Sequence, residues 1–307
     1  MNIIITGACG HIGSYFIENL DKIRNINKVI LIDNLDSNKA NSLFKIKTKK
    51  KIDFYARDLA VKNSLNQFKN IDIIFHFASM TNAAGSFKVK KKMFKNNLDC
   101  FNNVVNFCEK NKTKLVHISS TSVYGKQAKI VDENCEKKFL NPKSPYAKIK
   151  LIEENILKKK NINYNTFRFG TIAGVSKGMR FHTAVNSFCF SAAINEEIKV
   201  YKTALNQYRP YLSLNDAFKL FKFCIEKKFF KNDIFNVVSG NFTVKQIIKK
   251  IKKNKRKIKI KLVNSPIMNQ LSYHTDKKKL TKEGLTLNSN LDKEIEKTLK
   301  LFSNINK

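Results

Sequence analysis

The feature that most constrains this chain is a glycine-rich stretch close to its start. Met1 to Thr6 is apolar and β-branched, as expected of a short buried strand. Gly7, Gly10 and Gly13 follow, and an amphipathic run from Ser14 to Leu20 predicts a helix. Glycines at this spacing allow a tight turn, let a diphosphate approach bare backbone, and let the helix pack closely on the sheet. The stretch therefore predicts a diphosphate-binding loop.

A second apolar run, Lys28 to Ile32, predicts another strand, and it ends in Asp33. Asp33 lies 20 residues past Gly13, where dinucleotide-binding folds place the acid that binds the adenosine ribose hydroxyls. Because a carboxylate would repel the 2′-phosphate of NADP, the sequence favours NAD. Within the loop we expect His11 and Ile12 to contribute backbone. The alternative is a tight turn and a surface aspartate in another α/β protein.

Strands and helices alternate through the first half, which predicts an α/β fold with a doubly wound parallel sheet, the Rossmann arrangement. Further strands are predicted at 52–56, 71–78, 115–120, 165–169 and 233–238, and helices at 89–110, 146–160, 183–195, 243–253 and 292–302. We expect an NAD-binding domain from residues 1–170 plus about 211–240. A smaller, discontinuous substrate-binding lobe is expected from about 171–210 and 241–307.

The formal net charge of +35 raises the question of an anionic partner. Lysine supplies nearly all of it, because arginine occurs only six times. The basic runs lack interleaved aromatic residues, so we interpret them as solvated faces and expect no nucleic-acid partner. A non-catalytic NAD-binding protein that docks RNA stays as an alternative. Arg168, Arg180 and Arg209 are positions where a planar guanidinium is expected to be needed.

Two further expectations come from what the composition lacks. No stretch approaches the ~20 apolar residues of a membrane span, and the chain begins directly in a predicted strand. We therefore expect no signal peptide, no membrane association and a cytoplasmic location. The six cysteines are scattered and the five histidines are not clustered, so we expect reduced thiols and no metal site.

The residues that point to chemistry are a serine, a tyrosine and a lysine. Ser120 ends a predicted strand, and Tyr146 opens a predicted helix in which Lys150 follows four residues later. Residues four apart project from one helical face. A tyrosine has a pKa of about 10 in water, and a nearby ammonium stabilises its phenolate. The pattern predicts a base at Tyr146 with Ser120 holding the reacting hydroxyl, against the alternative of a core tyrosine beside a solvated lysine.

Together these motifs resemble the extended short-chain dehydrogenases/reductases of the NAD-dependent epimerase/dehydratase family, over essentially the whole chain. The motifs are Thr6-Gly7-x-x-Gly10-x-x-Gly13, Asp33-Asn34-Leu35, Asp58-Leu59, His76-Phe77-Ala78, Ser119 to Gly125, Tyr146-x-x-x-Lys150 and Arg209-Pro210-Tyr211. The resemblance implies NAD-dependent epimerisation of a nucleotide-activated sugar through a transient 4-keto intermediate. The alternative reaction is net oxidation or reduction of such a sugar. A homodimer is also implied.

The resemblance assigns roles to particular residues. Cofactor binding is implied for the glycine loop (Gly7, Gly10, His11, Ile12, Gly13), for Asp33 and Asn34 at the ribose, for Asp58 and Leu59 at the adenine, and for Phe77, Ala78 and Asn96. Catalysis is implied for Ser120, Tyr146 and Lys150. Substrate contacts are implied for Asn186 and Arg209, while His76 is expected to be structural.

Three departures from the family pattern bear on the reaction. The residues after Ser120 are Thr121 and Ser122, whereas sugar dehydratases carry acids there, so dehydration is disfavoured. Thr171 stands where 4-epimerases usually have asparagine on the sugar side. An arginine expected within 266–274 for the diphosphate is absent. We expect Arg180, with His182, to supply an alternative contact; the other interpretation is a polar helix start.

Overall fold

The computed structural model describes residues 1–82, 85–125, 127, 130–264 and 272–304 of the 307-residue chain. The strands are β1 Asn2–Thr6, β2 Lys28–Asp33, β3 Lys51–Ala56, β4 Ile73–His76, β5 Lys114–Ser120, β6 Ile130–Val131, β7 Tyr164–Phe169, β8 Thr171–Ala173, β9 Glu197–Tyr201, β10 Tyr208–Ser213, β11 Asp233–Val237, β12 Gly240–Thr243, β13 Lys259–Val263 and β14 His274–Thr275. The helices are α1 His11–Glu18, α2 Lys90–Asn111, α3 Pro145–Leu157, α4 Ala184–Ala193, α5 Leu214–Glu226, α6 Val244–Asn254, α7 Lys278–Lys282 and α8 Leu291–Leu301.

The main sheet is parallel throughout and runs in the order β3-β2-β1-β4-β5-β7-β11. The strand order reverses between β1 and β4, which is the point where open α/β sheets bind their ligands. The predicted doubly wound Rossmann fold is confirmed. The predicted strands appear within two residues of their expected ends, and α1 begins three residues earlier than predicted.

Helices cover both faces of this sheet because its central strands are apolar on both sides. One face packs Ile3 and Ile5 against Phe16 of α1 and Phe221 of α5. The opposite face packs Ile4 against residues of α2 and α3. Helix α5 is an element without a predicted counterpart, although its buried positions follow a helical repeat.

A smaller lobe has its own core, formed by β8, β9 and β10 with α4, α6 and α8. Its members come from both 171–213 and 240–302, so it is discontinuous in sequence. One stretch of the predicted lobe packs elsewhere. Leu280 of α7 and Leu287 are buried in the core beside the main sheet, because the α7 segment lies against β11.

Further predictions concern the cysteines, a metal site and membrane-spanning segments. All six cysteines are free thiols, and five are buried. Over the described residues, no three His, Cys, Asp or Glu side chains gather as a metal site would require, and no helix there has the length and apolar character needed to cross a membrane.

Candidate active site

The glycine loop has the geometry that its sequence predicts. Gly7 adopts a φ of +63°, and a Cβ there would lie 2.7 Å from the Ala78 backbone nitrogen. A Cβ on Gly13 would lie 2.5 Å from the Gly7 carbonyl oxygen. Both positions therefore exclude side chains. Helix α1 starts at His11, so its free N–H groups and positive dipole end face the bare loop, an arrangement suited to a diphosphate.

Asp33 at the end of β2 has a role that the sequence analysis missed. Its Oδ2 accepts a hydrogen bond from the Cys9 backbone N–H at 3.0 Å, and its Oδ1 accepts one from the Leu35 N–H at 2.9 Å. The carboxylate therefore fixes the glycine loop. Each oxygen keeps a second lone pair, so Asp33 can also accept ribose hydroxyls.

All of the residues predicted to bind the cofactor lie along one groove of about 1020 Å³. They are Gly7, Gly10, His11, Ile12, Gly13, Asp33, Asn34, Asp58, Leu59, Phe77, Ala78 and Asn96. Behind Asn96, the buried Asn97 amide bonds both the Met80 N–H, at 2.8 Å, and the Met80 carbonyl, at 3.0 Å. No sequence pattern predicts this pair of hydrogen bonds, because it joins residues 17 apart in an irregular segment and a helix. A bare diphosphate loop with an acid at its far end fits NAD.

Residues 174–182, here called the crossing segment, run from the smaller lobe over the glycine loop. The buried His11 ring bonds the Gly174 carbonyl oxygen at 2.8 Å, and the Ser176 hydroxyl donates to the His11 carbonyl at 2.9 Å. A Cβ on Gly178 would lie 2.2 Å from the Cys9 carbonyl oxygen. His11 thus contributes its side chain as well as backbone. The segment's contact with the loop explains why Gly178 carries no side chain.

The predicted catalytic residues meet in a second cavity, of about 320 Å³, that shares part of its lining with the groove. Pro145 begins α3 and the Ser144 hydroxyl accepts from the Ala147 N–H at 3.1 Å, which caps the helix just before Tyr146. The Lys150 Nζ lies 5.9 Å from the centroid of the Tyr146 ring. One turn of helix therefore places ammonium and phenol together.

Ser120 and the electrostatics of Tyr146 complete this site. The Ser122 hydroxyl donates to the Ser120 Oγ at 2.8 Å, which leaves the Ser120 proton free to turn towards a ligand. Burial raises the pKa of Tyr146, against the lowering effects of Lys150 and Arg180. Burial also works against the charge of Lys150, but Glu153, Tyr146 and Glu154 together outweigh it, and the pKa of Lys150 lies above its usual value.

The predicted substrate residues do not all reach the cavity. Thr171, Arg180 and Arg209 line it. The Arg180 Nη1 donates to the Thr81 hydroxyl, while its buried Nε has no hydrogen-bond partner. Asn186 is fully buried behind the lining, where its amide accepts from the Gly174 N–H at 3.2 Å and donates to the Arg180 carbonyl at 3.0 Å. Its position is that of a brace for the crossing segment.

The lining of this cavity carries positive charge and no negative charge among its described residues. Among the described residues that line it there is no carboxylate, whereas four are lysine or arginine: Lys150, Arg180, Lys199 and Arg209. Thr121 lines it too, with its hydroxyl donating to the Phe169 carbonyl at 3.2 Å. The segment 266–274, in which an arginine was expected, contains none, and its residues 266–271 lie outside the described residues. Such a cavity suits an anionic substrate.

Known proteins share sequence and fold with this chain. The sequence model described as the NAD dependent epimerase/dehydratase family matches residues 3–237. The chain is 27% identical over 251 residues to the ADP-L-glycero-D-manno-heptose-6-epimerase of Brachyspira hyodysenteriae, covering 78% of this chain and 76% of that one. It is 26% identical over 253 residues to a putative UDP-glucose 4-epimerase of Methanocaldococcus jannaschii, covering 78% of each.

Among solved structures, the chain resembles DesIV of Streptomyces venezuelae, a dTDP-glucose 4,6-dehydratase crystallised with NAD bound. The TM-score is 0.89, with 17% sequence identity, and the match covers 98% of this chain and 97% of that one. At this identity the likeness concerns the fold. Epimerases and a dehydratase thus share the architecture, and the residues of the cavity must distinguish between their reactions.

Proposed function

Because the chain belongs to the NAD-dependent epimerase/dehydratase family, we propose that it epimerises a nucleotide-activated sugar at C4 through a transient 4-keto intermediate, as UDP-glucose 4-epimerases do. The cofactor is NAD, held by the glycine loop and by Asp33. The observation that carries the proposal is the cavity beside the cofactor groove. It brings Ser120, Tyr146 and Lys150 together without any carboxylate among its described lining residues.

NAD supplies a hydride acceptor that can return the hydride. The protein's part is to move a proton and to hold the sugar. Tyr146 removes the proton of the C4 hydroxyl at its phenol oxygen and later gives it back, while the Lys150 ammonium stabilises the phenolate. Ser120 donates a hydrogen bond to the C4 oxygen. Arg209 is the candidate for the diphosphate, since its guanidinium lines the cavity and its one hydrogen bond to a described residue goes to Gln207, at 3.2 Å.

Dehydration would need more than this site offers. Loss of the sugar 6-hydroxyl as water requires an acid to protonate the leaving oxygen, as in general acid catalysis. Thr121 and Ser122 stand after Ser120, and their hydroxyls bond the Phe169 carbonyl and Ser120. Neither group is acidic enough for that role. The residues of the cavity therefore favour a reaction in which only a hydride and a proton are transferred.

A net dehydrogenase or reductase would use the same three residues, but its cofactor must leave after each turnover. The crossing segment argues for retention, because it contacts the glycine loop through His11, Ser14 and Ser176. A retained cofactor suits an epimerase, which restores it within every cycle. The homodimer and the cytoplasmic location stay predictions, as does the absence of a nucleic-acid partner.

The proposal is tested by incubating purified protein with a panel of nucleotide sugars, among them UDP-glucose, UDP-galactose and ADP-heptoses. We expect interconversion of C4 epimers, followed by NMR, without added cofactor and without accumulation of NADH absorbance. Stoichiometric NAD reduction would establish a net oxidoreductase. A product lacking one water would establish a dehydratase. Folded, NAD-loaded protein that retained RNA in a salt-dependent manner, with no sugar turned over, would support the non-catalytic alternative.

A further inference from the structure

A row of polar side chains crosses the middle of the main sheet beneath the catalytic helix. Thr6, His76, His117 and Thr166 occupy directly opposed positions on β1, β4, β5 and β7. All four are at most 3% exposed. Polar groups in a sheet core are costly unless they are hydrogen-bonded. The Thr6 hydroxyl bonds the His76 Nδ1 at 2.9 Å, and the Thr166 hydroxyl bonds the His117 Nδ1 at 3.1 Å.

The other nitrogen of His117 connects this row to the active site. Its Nε2 lies 2.9 Å from the Oε2 of Glu153, and the same Oε2 accepts from the Lys150 Nζ at 2.8 Å. An ionised carboxylate only accepts, so His117 must carry its proton on Nε2 and accept from the Thr166 hydroxyl at Nδ1. Glu153 is 1% exposed and Lys150 is 3% exposed. The catalytic ammonium is therefore held in a buried ion pair.

The neighbouring Glu154 shows that this pairing is specific. Glu154 is equally buried, but it binds Arg168 in a bidentate manner, at 2.9 Å to Nε and 2.7 Å to Nη2. It also accepts from the Ser119 hydroxyl at 2.6 Å. The two adjacent carboxylates therefore pair with different cations. Glu154 links α3 to β7 through Arg168, and Glu153 pairs with Lys150, which lies near the catalytic tyrosine.

We infer that Glu153, oriented by His117, is a positioning residue that offsets the charge of Lys150 and so sets the pH at which the Tyr146–Lys150 pair gives up a proton. The inference rests on the catalytic roles in the proposed function. With Glu153 in place, the pair plus its carboxylate is neutral overall when Tyr146 is a phenol. Tyr146 then keeps its proton at neutral pH and cannot act as a base until further positive charge stabilises its phenolate. The oxidised nicotinamide of NAD would supply such a charge.

The charged and titratable groups around this pair come from every neighbouring element. Helix α3 contributes Tyr146 and Glu154, β4 contributes His76, β5 contributes His117, α2 contributes Cys100, and the crossing segment contributes Arg180. Burial keeps His76 and His117 neutral near pH 7, because it lowers the pKa of both imidazoles. Burial raises the pKa of the Cys100 thiol to about 12, so it too is neutral. Glu153 is therefore the anion in direct contact with Lys150.

The test uses no sugar. Tyrosinate absorbance is titrated in NAD-loaded protein and in its Tyr146→Phe variant, and the difference isolates Tyr146. The same pair is measured with Glu153→Gln. Removing the carboxylate leaves Lys150 uncompensated, so the pair should lose its first proton at lower pH. We expect the Tyr146 signal to move down by about one pH unit or more. Glu153→Asp keeps the charge and should stay close to the parent protein.

Glu109→Gln is the matched control, since it removes a carboxylate from a Glu–Lys pair of the same 2.8 Å length at the surface, with Lys160. It should leave the titration unchanged. An unshifted or upward-shifted Tyr146 signal in Glu153→Gln would overturn the inference. If Glu153→Gln does not fold, His117→Leu decides, because it removes the hydrogen bond that orients Glu153. A downward shift of the Tyr146 signal then supports the inference, and an unshifted or upward-shifted signal overturns it. Failure of the proposed function would appear separately, as absent epimerisation.

Discussion

The cofactor groove and the catalytic cavity share part of their lining but differ in how the chain builds and charges them. The groove carries three carboxylates, from Asp33, Asp36 and Asp58, and its diphosphate loop is one continuous stretch of chain. The cavity carries no carboxylate among its described residues, and its side chains come from segments as far apart as Thr81 and Tyr273. The groove thus mixes carboxylates with lysine and arginine side chains around a loop that is local in sequence. The cavity carries lysine and arginine without a carboxylate among its described residues.

This difference separates holding the cofactor from handling the substrate. In the proposed function, backbone N–H groups of the glycine loop and the Asp33 carboxylate bind the diphosphate and ribose of NAD. Lysine and arginine side chains of the cavity bind a nucleotide sugar, whose sugar can vary from one substrate to another. The crossing segment is the point where the two sites touch, through His11 on one side and Arg180 on the other. Variants on either side of that segment should therefore affect one site and spare the other.

The largest difference between the effects on the two sites is expected from Tyr146→Phe, which should reduce turnover and leave NAD binding intact. Removing the phenol oxygen eliminates the base, and positioned acid–base catalysis contributes roughly 10²–10⁴-fold. Turnover of the nucleotide sugar should fall by that factor, whereas NAD content, measured after denaturing the purified protein, should stay at the parent level. A variant that lost NAD together with activity would show that the two sites are not separable at Tyr146.

The opposite effect, weaker cofactor binding, is expected from Asp33→Asn. Losing a charged contact to the ribose costs roughly 1.5–3 kcal/mol, which weakens NAD binding by about 10- to 100-fold. Because Asp33 also accepts from the Cys9 N–H, part of any loss could come from a displaced glycine loop. NADP distinguishes the causes. Loss of charge repulsion should preserve or improve NADP affinity, while loop displacement should weaken both cofactors equally. Calorimetric titration with each cofactor decides.

The sequence predicted the groove better than the cavity for a physical reason. The loop of Gly7, Gly10 and Gly13 and the acid Asp33 act through backbone conformation and spacing, and these are visible in a linear pattern. Every predicted cofactor residue lines the groove. What escaped prediction were second contacts, such as the Asp33 bond to Cys9, because tertiary hydrogen bonds leave no periodic signal.

Long-range assembly explains the misplaced and missed residues. Asn186 has a polar side chain at a helix start, and its sequence does not reveal that it faces the crossing segment instead of the cavity. Glu153 is one carboxylate among many near lysines. Only the packing of α3 against β5 brings it to His117. The doubly wound parallel sheet was accessible from strand and helix alternation, but side-chain partners across the sheet were not.

Lowering the pH should destabilise the protein through buried histidines near the contact between the glycine loop and the crossing segment. Burial lowers the pKa of His11, which makes that contact, to about 3, and it lowers the pKa of His76 in the sheet to about 3. A free histidine titrates near pH ~6.5, so below that pH the unfolded chain binds protons that the folded chain does not, and stability falls as pH falls. At pH 5 the loss is about 2 kcal/mol for each ring.

The check is the melting temperature between pH 7 and pH 5. His11→Gln can keep an N–H donor towards the Gly174 carbonyl but does not titrate. It should therefore lose clearly less stability than the parent protein over this range, since His11 no longer contributes, whereas His76, His117 and His182, whose pKa values are also lowered, still do. An identical pH dependence in parent and variant would show that the His11 ring is protonated without cost and that its contact with the crossing segment is not a stabilising one.

The smallest effect is expected from Arg209→Lys, and it tests the cationic side of the comparison. Arg209 is half-buried in the cavity lining beside Tyr211 and Tyr273. A guanidinium offers a diphosphate two parallel hydrogen bonds, whereas an ammonium keeps the charge without the fork. The substrate KM should therefore rise roughly tenfold, the value of one such bond, with kcat and NAD affinity little changed.

Arg57→Lys is the matched change in the cofactor groove, where Arg57 donates to the Ser64 carbonyl at 2.6 Å. It should leave the substrate KM unaltered. If Arg209→Lys lowers the melting temperature without moving KM, the guanidinium supports the fold of β10 and the diphosphate lies elsewhere in the cavity, with Arg180 the next candidate.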